Sequence, residues 1–203
     1  MKKRSLVRVT AVLSYIESAW KEYWFRKVGF EEADKVSKES SEFGTRVHKI
    51  VEESLLNDHP IEARTAEEKC ALRIFDYLLE HDIKPLFDSY EQSLEVEVKD
   101  TKLKLIGHFD MAASWGGVPF IVDFKTSGKM RKSFPLQMAA YAKMANKMFK
   151  TKINDGLCLR AHWNKETKEV EFEYKVYNKL ITKYWPIYNA GLKVYWYFNR
   201  GSK

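Results

Sequence analysis

The sequence predicts an α/β (α+β) fold, with a mixed central β-sheet flanked by helices and a mainly helical N-terminal part. Apolar residues recur at helical spacing as far as Pro85, then alternate with a period of two, and return to helical spacing at Phe134. Such changes of period mark the passage from helices to strands and back. A chain of 203 residues, of which 45% are hydrophobic, can bury one sizeable core. We therefore expect one domain over residues 1–203, with the mainly helical part at 1–85 and a sheet-containing core with a C-terminal helix at 86–203.

Three helices are expected in the N-terminal part. Apolar residues follow helical spacing over Thr10–Val28 and again over Phe43–Leu56. The charged segment between them, Glu31–Glu39, is expected to lie at the surface. A capping-box pattern begins at Thr65 and opens a third helix, which extends to about His81.

Strands are expected next. Alternating patterns cover Glu91–Val98 and Lys102–Ser114, and Gly116-Gly117 is a typical two-residue hairpin turn leading into Val118–Phe124. These segments predict a three-strand meander. The rest of the chain is predicted to form a helix at Phe134–Lys150, strands at Gly156–Trp163 and Val170–Val176, and a helical tail at Leu180–Phe198 with interruptions at Pro186 and Gly191.

The charge of the chain favours a polyanionic partner. Its formal net charge is +7, which alone is weak support for nucleic-acid binding. The distribution of charge is more informative, because no Asp or Glu occurs from Lys125 through Lys152. The cations of this acid-free stretch are Lys125, Lys129, Arg131, Lys132, Lys143, Lys147, Lys150 and Lys152.

The two cysteines, Cys70 and Cys158, form no Cys-x-x-Cys pair. Zinc ribbons and iron–sulfur clusters therefore lack their ligands, and both thiols are expected to be reduced core residues. No stretch of 18 apolar residues occurs. We therefore expect a cytoplasmic protein with no membrane partner.

The charged residues that suggest a catalytic site lie on two neighbouring predicted strands. Asp110 and the pair Asp123 and Lys125 are predicted on antiparallel strands joined by the hairpin. Charged side chains at such positions are costly unless they pair with each other, a metal or a phosphate. Two carboxylates suit a hard divalent cation, and a lysine beside them suits an anionic substrate. The arrangement points to metal-assisted phosphodiester hydrolysis.

Four short motifs together carry a family resemblance. They are Gly107-x-x-Asp110, Asp123-x-Lys125, Gln137-x-x-x-Tyr141 and, upstream, Gly44-x-x-x-His48. In this combination the chain resembles the PD-(D/E)XK nuclease superfamily, and within it the RecB/Cas4-like subgroup that includes the mitochondrial genome maintenance exonuclease. The match runs from about residue 43 to 141, and it implies a restriction-endonuclease-like core.

The resemblance assigns roles to the residues of the two strands. Asp110 and Asp123 would bind one or two Mg2+ or Mn2+ ions, with the Phe124 carbonyl as a further oxygen ligand. Lys125 would hold or help deprotonate the attacking water and offset the charge that grows on the phosphate.

Two further metal ligands are implied. His48 would be a ligand from the upstream helix, and an imidazole among oxygen ligands leads us to expect that Mn2+ supports at least as much activity as Mg2+. Glu91 would complete the acidic site directly or through water. Glu95 and Glu97 are rivals for this role, but they alternate with apolar residues as a solvent-facing row does.

Contacts with nucleic acid are expected on the helix and the loop after Lys125. Gln137 and Tyr141 share one helix face and would lie beside the active site, against Lys125 or the DNA backbone. Thr126 and Ser127 could donate hydrogen bonds to a phosphate. The loop that follows carries three cations, Lys129, Arg131 and Lys132.

The resulting expectation is a metal-dependent deoxyribonuclease, an exonuclease acting on single-stranded or frayed DNA ends. Two alternatives stay open: an endonuclease of the same superfamily directed by structure or sequence, and a catalytically silent nucleic-acid-binding module. Lacking helicase motifs and cluster cysteines, the chain would work without an iron–sulfur cluster and alongside a helicase or a single-strand-binding or recombination protein. A bacterial cytoplasm, or a phage protein in its host, would suit this role.

Overall fold

The elements of the fold have the following bounds in a computed structural model, which describes residues 6–57, 60–86 and 95–199, the side chain of Trp20 excepted. In chain order they are β1 (Val7–Arg8), α1 (Val9–Ile16), α2 (Ser18–Val28), α3 (Phe30–Asn57), α4 (Ala66–Glu80), β2 (Lys84–Pro85), β3 (Val96–Asp100), β4 (Leu105–Phe109), β5 (Met111–Trp115), β6 (Val118–Lys125), α5 (Phe134–Phe149), β7 (Asp155–Asn164), β8 (Glu169–Tyr177), one π-helical turn (Leu180–Tyr184) and α6 (Trp185–Phe198).

The strands form two mixed sheets. A three-stranded sheet has the order β1-β4-β3, and a five-stranded sheet has the order β2-β5-β6-β7-β8. Pairing is parallel between β1 and β4 and between β6 and β7, and antiparallel elsewhere. The prediction of an α/β fold with a mixed sheet flanked by helices is confirmed.

Two apolar cores cover the two faces of the five-stranded sheet. Successive residues of β6 alternate between them, since Ile121 belongs to one core and Val122 to the other. Side chains of α1, α5 and α6 fill the first core. Side chains of α3 and α4 fill the second. This alternation of faces is what a strand with a period of two produces.

The predicted strand Lys102–Ser114 is wrong as a single element. A turn occupies 101–104, and the chain passes from one sheet to the other at Asp110. Phe109 packs into the first core and Met111 into the second, although a straight strand would place them on one face. The predicted meander is therefore wrong as well, because β3 and β4 do not share a sheet with β6.

The N-terminal helices also differ from the predicted pattern. The first helix is interrupted at Glu17, which separates α1 from α2. The segment Glu31–Glu39 is exposed as predicted, except at Ala33, and it forms the first part of α3, a helix of 28 residues. One residue of that segment, Ala33, is fully buried, so the segment is anchored despite its charge.

The predicted capping box of α4 is present, whereas the C-terminal tail differs from its prediction. The capping box is present, with Thr65 Oγ1 accepting from the Glu68 amide at 3.1 Å and Glu68 Oε2 accepting from the Thr65 amide at 2.7 Å. The predicted interruptions of the C-terminal tail are wrong, because α6 continues through Pro186, which lies in its first turn, and through Gly191. A Cβ at Gly191 would overlap Ile16 of α1, so this glycine permits helix packing instead of breaking the helix. No helix in the described part of the chain is long and apolar enough to cross a bilayer.

Candidate active site

Two aspartates meet where the chain changes sheets. Asp110 lies between β4 and β5, and Asp123 lies near the end of β6. The adjacent ladder pair joins Met111 to Val122, so Asp110 is opposite Asp123. Asp110 Oδ2 accepts a hydrogen bond from the Phe124 amide at 2.7 Å. The carboxylate of Asp110 is thus tied to the strand that carries Asp123.

His48 and Lys125 lie against these carboxylates. His48 Nδ1 is 3.3 Å from Asp110 Oδ1, which links α3 to the sheet. Lys125 Nζ is 2.8 Å from Asp123 Oδ1, to which it donates a hydrogen bond. The same Nζ is 2.7 Å from Asp123 Oδ2, but Oδ2 is buried and receives no hydrogen bond of acceptable geometry. We therefore treat the second contact as an ion pair only.

The charges of the four groups are coupled. Burial raises the pKa of Asp123 to about 6, against the attraction of Lys125. Burial also opposes ionisation of Asp110, but its pKa is lowered because the attraction and hydrogen bond of His48, with help from Lys125, outweigh burial. Burial lowers the pKa of Lys125, yet attraction to the two aspartates leaves that pKa above its usual range. Lys125 is therefore protonated at neutral pH.

Burial and attraction also act in opposite directions on the pKa of the His48 imidazole. Burial lowers its pKa, but attraction to Asp110 and the hydrogen bond with it are stronger, so the pKa of His48 is raised. The ring also stands edge-on to the Phe124 ring, with centroids 5.7 Å apart. His48 is thus held in place by both charge and packing.

Gln137 and Tyr141 form a second pair on α5. Gln137 Nε2 donates to the Tyr141 hydroxyl at 3.0 Å. Tyr141 is buried, and burial raises the pKa of its hydroxyl. Its ring passes directly over Gly107 of β4, where a Cβ would lie 2.6 Å from Tyr141 Cε1. The glycine of the Gly107-x-x-Asp110 motif is therefore required by the close approach of this ring.

Gly44 has a comparable packing role on α3. A Cβ at this position would lie 3.2 Å from Thr126 Oγ1, immediately after Lys125. The absence of a side chain lets α3 approach the end of β6. His48, one turn further along the helix, is thereby brought to Asp110.

A cleft of about 910 Å3 opens over these residues, between the N-terminal helices and the ends of β6, β7 and the start of α5. The predicted site residues that line it are His48, Phe124, Lys125, Thr126, Ser127, Arg131 and Gln137. Asp110, Asp123 and Tyr141 are not among the lining residues and lie behind the wall. Lys129 and Lys132 are exposed but do not line the cleft, and Glu91 is outside the described residues.

Sequence reasoning missed several lining residues. From the C-terminal part of β7 and its hairpin these are His162, Trp163 and Lys165, and from the helices they include Lys21 and Arg46. A signal was present in β7, since Arg160 and His162 are polar residues that alternate within an otherwise apolar strand. The parallel neighbour of β6 would be expected to end at the same edge of the sheet.

The residues present suit a divalent cation only in part. Within residues 6–57, 60–86 and 95–199, no three His, Cys, Asp or Glu side chains are arranged as a metal site. The donors nevertheless fit a hard ion, because the two carboxylates lie opposite each other on neighbouring strands and Asp123 Oδ2, which is buried, has only the ion pair with Lys125. Lys125 and His48 contact the two carboxylates in this arrangement.

Known proteins similar to this chain include the members of a nuclease superfamily. Residues 11–180 match the PD-(D/E)XK nuclease superfamily. A solved structure, the crystal structure of SSO0001, is similar at 12% identity and a TM-score of 0.46, over 96% of this chain and 75% of that chain. A comparison with curated proteins found no significant match.

Proposed function

Because the chain belongs to the PD-(D/E)XK nuclease superfamily, we propose that it is a metal-dependent deoxyribonuclease, an exonuclease of the RecB/Cas4-like subgroup that acts on single-stranded or frayed DNA ends. One observation carries the proposal. Lys125 lines a cleft that is large enough for several nucleotide units and carries cations on its surface, and Asp110 and Asp123 lie directly behind this lysine.

The residues placed to hold Mg2+ or Mn2+ are Asp110, Asp123, His48 and the Phe124 carbonyl. The chemistry that such an ion supplies to a nuclease is Lewis-acid polarisation of phosphate oxygens and activation of water. The protein itself fixes the positions of these charged side chains. Asp110 is fixed by the Phe124 amide, so its carboxylate keeps one orientation while substrate enters.

Lys125 acts on the substrate as a cation. Attraction to Asp123 and Asp110 raises the pKa of Lys125 against the effect of burial, and its side chain lines the cleft. A protonated lysine donates hydrogen bonds and stabilises negative charge that develops on a phosphate. It can also orient a water molecule for in-line attack. It does not accept a proton in this state.

The charges on the cleft support a single-stranded substrate. Both signs occur on it, since Arg46, Arg131 and Lys165 are cations, and Glu39 and Glu42 are acids on α3, the helix that also carries Arg46. A duplex would bring a second phosphate backbone against the carboxylates, and like charges repel. A single strand can place its phosphates on the cations and its bases against polar groups.

The two cysteines support the proposal that no iron–sulfur cluster takes part. Cys70 is buried in the core beneath α3 and α4, and Cys158 in the core on the other face of the sheet. Burial raises the pKa of Cys70 to about 12. Under the same proposal, a helicase or a single-strand-binding or recombination protein would present the strand, in a bacterial cytoplasm or a phage-infected cell.

The test is digestion of an end-labelled linear single strand and its closed circular counterpart, each with Mg2+, with Mn2+ and with EDTA. We expect metal-dependent loss of the linear strand alone, with Mn2+ at least as effective as Mg2+. Lys125→Ala should reduce the rate about 100-fold or more, as loss of one charge-stabilising donor does. Lys84→Ala, an exposed lysine on β2, is the matched control and should cleave like wild type.

Other outcomes separate the alternatives. Cleavage of the circle would make the protein an endonuclease. Binding of either strand without cleavage, by a folded wild type, would favour the silent binding module. Undiminished cleavage by Lys125→Ala would refute the assignment of this site.

A further inference from the structure

Pairing between β6 and β7 ends at the lysine of the candidate site. The last register pair joins Lys125 to Arg160, and β7 continues beyond it while β6 does not. The backbone carbonyls of Thr126 and Ser127 therefore leave the ladder at the point where the cleft begins. Carbonyls that leave a ladder need other donors if they are to be held in one position.

Two side chains of β7 supply those donors. His162 Nδ1 is 3.0 Å from the Thr126 carbonyl oxygen. Because a carbonyl only accepts, Nδ1 carries the proton in this bond. Arg160 donates from its guanidinium to the Ser127 carbonyl at 3.3 Å. Its side chain is 8% exposed, and it is held from behind by Glu173 at 3.2 Å.

The segment held in this way leads into part of the cleft wall. Thr126, Ser127 and Gly128 line the cleft, followed by Arg131 and then Ser133 at the start of α5. Ser127 Oγ donates to the Lys129 carbonyl at 3.0 Å, which closes the first turn of the loop. The ring of His162 lies beside Gly128, where a Cβ would be 3.7 Å from Nε2. The path of the loop thus depends on what fixes its first two residues.

We propose that His162 and Arg160 are positioning residues for substrate binding, which hold the Thr126–Ser127 segment and the basic loop after it in the shape that receives a nucleic-acid phosphate backbone. The inference rests on the proposed nuclease function for its kinetic readout. It assigns to β7 a role that the four motifs do not contain. The two residues act through backbone carbonyls and not on the reacting atoms.

The alternative role for His162 is direct contact with the substrate. With Nδ1 used as a donor, Nε2 of His162 is left on the side of Gly128 and the cleft, where it could contact substrate directly. Three substitutions distinguish the roles. His162→Asn keeps a donor close to the position of Nδ1, His162→Gln places its amide near the position of Nε2, and His162→Ala removes both.

The experiment measures kcat and KM on a linear single strand, together with hydrogen exchange of the backbone amides of residues 126–132. Loss of one hydrogen bond changes an equilibrium constant by about three- to tenfold. His162→Ala should therefore raise KM by about that factor, with a smaller effect on kcat. It should also increase exchange in the loop. His162→Asn should restore both values, and His162→Gln should restore neither.

His81→Ala is the matched control. His81 Nδ1 makes the same kind of bond, 3.0 Å from the Tyr77 carbonyl, at the end of α4 away from the cleft. It should leave KM and loop exchange unchanged. Restoration by His162→Gln but not by His162→Asn would overturn the inference in favour of direct contact, and an unaltered His162→Ala would overturn it outright.

Arg160 is tested with Arg160→Met, which keeps bulk and removes the Ser127 bond and the ion pairs with Glu173 and Glu171. We expect a higher KM and faster loop exchange. A lower melting temperature with unchanged KM and unchanged exchange would show a purely structural role and overturn the assignment. If wild type cleaves no nucleic acid, the nuclease proposal fails, while the exchange measurements still decide whether β7 positions the loop.

Discussion

Gly107→Ala tests the reasoning that connects the motif to the packing of the site. The added Cβ would lie 2.6 Å from Tyr141 Cε1 and 3.1 Å from Val9 Cγ2. The first distance is too short for two carbon atoms, so the Tyr141 ring must move. Both neighbours are buried in the first core, which leaves little room for the movement.

The expected loss of stability has two opposing contributions. Overpacking of a buried site costs about 1–3 kcal/mol. Replacement of a glycine within a strand by alanine returns about 0.5–1 kcal/mol through reduced backbone entropy. With the middle of each range, the net loss is about 1 kcal/mol, which in a chain of this size lowers the melting temperature by about 2–4 °C. Cleavage should fall as well, since Gln137 loses its bond to the displaced hydroxyl.

The assay is a double-mutant cycle with Tyr141→Leu, followed by chemical or thermal unfolding. Truncation of the ring gives the alanine room, so the loss caused by Gly107→Ala should be smaller in the Tyr141→Leu background. Gly128→Ala is the control, because its Cβ would meet nothing closer than 3.7 Å. A Gly107→Ala protein as stable as wild type, or additive losses in the cycle, would refute the reasoning.

Three further predictions concern stability away from the cleft. The pKa of Asp100 is lowered, because hydrogen bonds from Lys147 and two backbone amides outweigh its burial. Asp100→Asn should therefore lower the unfolding free energy by about 1–2 kcal/mol at pH 7. The difference between wild type and variant should shrink as the pH falls through the lowered pKa of Asp100 in the folded state, which unfolding measurements at pH 7 and pH 3 would show. Thr65→Ala removes the cap of α4 and should cost about 1 kcal/mol in unfolding free energy, with cleavage unchanged. The side-chain amide of Asn146 makes two hydrogen bonds of 2.7 Å with the buried Ile153, one to its backbone carbonyl and one from its backbone amide. Asn146→Ala leaves both backbone groups without this partner and should lower the unfolding free energy by about 2–4 kcal/mol. A decrease no greater than that caused by Thr65→Ala would contradict this prediction.

Local pairs of the site could be predicted from the sequence because their spacing follows from the element that carries them. Asp123 and Lys125 are two residues apart on a strand, so their side chains share a face, and the structure joins them at 2.8 Å. Gln137 and Tyr141 are four apart on a helix and are joined at 3.0 Å. In each pair, secondary structure alone fixes the contact.

Contacts between distant segments could not be predicted in this way. His162 reaches Thr126 across 36 positions, and Arg160 reaches Ser127 across 33. Their partners are backbone carbonyls, which no side-chain pattern displays. The passage between sheets at Asp110 was hidden for a related reason, because residues on either side keep an alternating apolar pattern while they enter different cores.

The glycines of the two motifs explain why short patterns can specify a site spread over α3, β4, β6 and α5. Gly107 lets the Tyr141 ring cross β4, and Gly44 lets α3 approach Thr126. Each glycine precedes its functional partner by a short fixed distance, with Gly44 and His48 on α3, and with Gly107 on β4 and Asp110 directly after that strand. The spacing therefore encodes where backbones approach closely as much as which groups react. A substitution at either glycine should displace a charged group without removing it, which separates the geometry of the site from its chemistry.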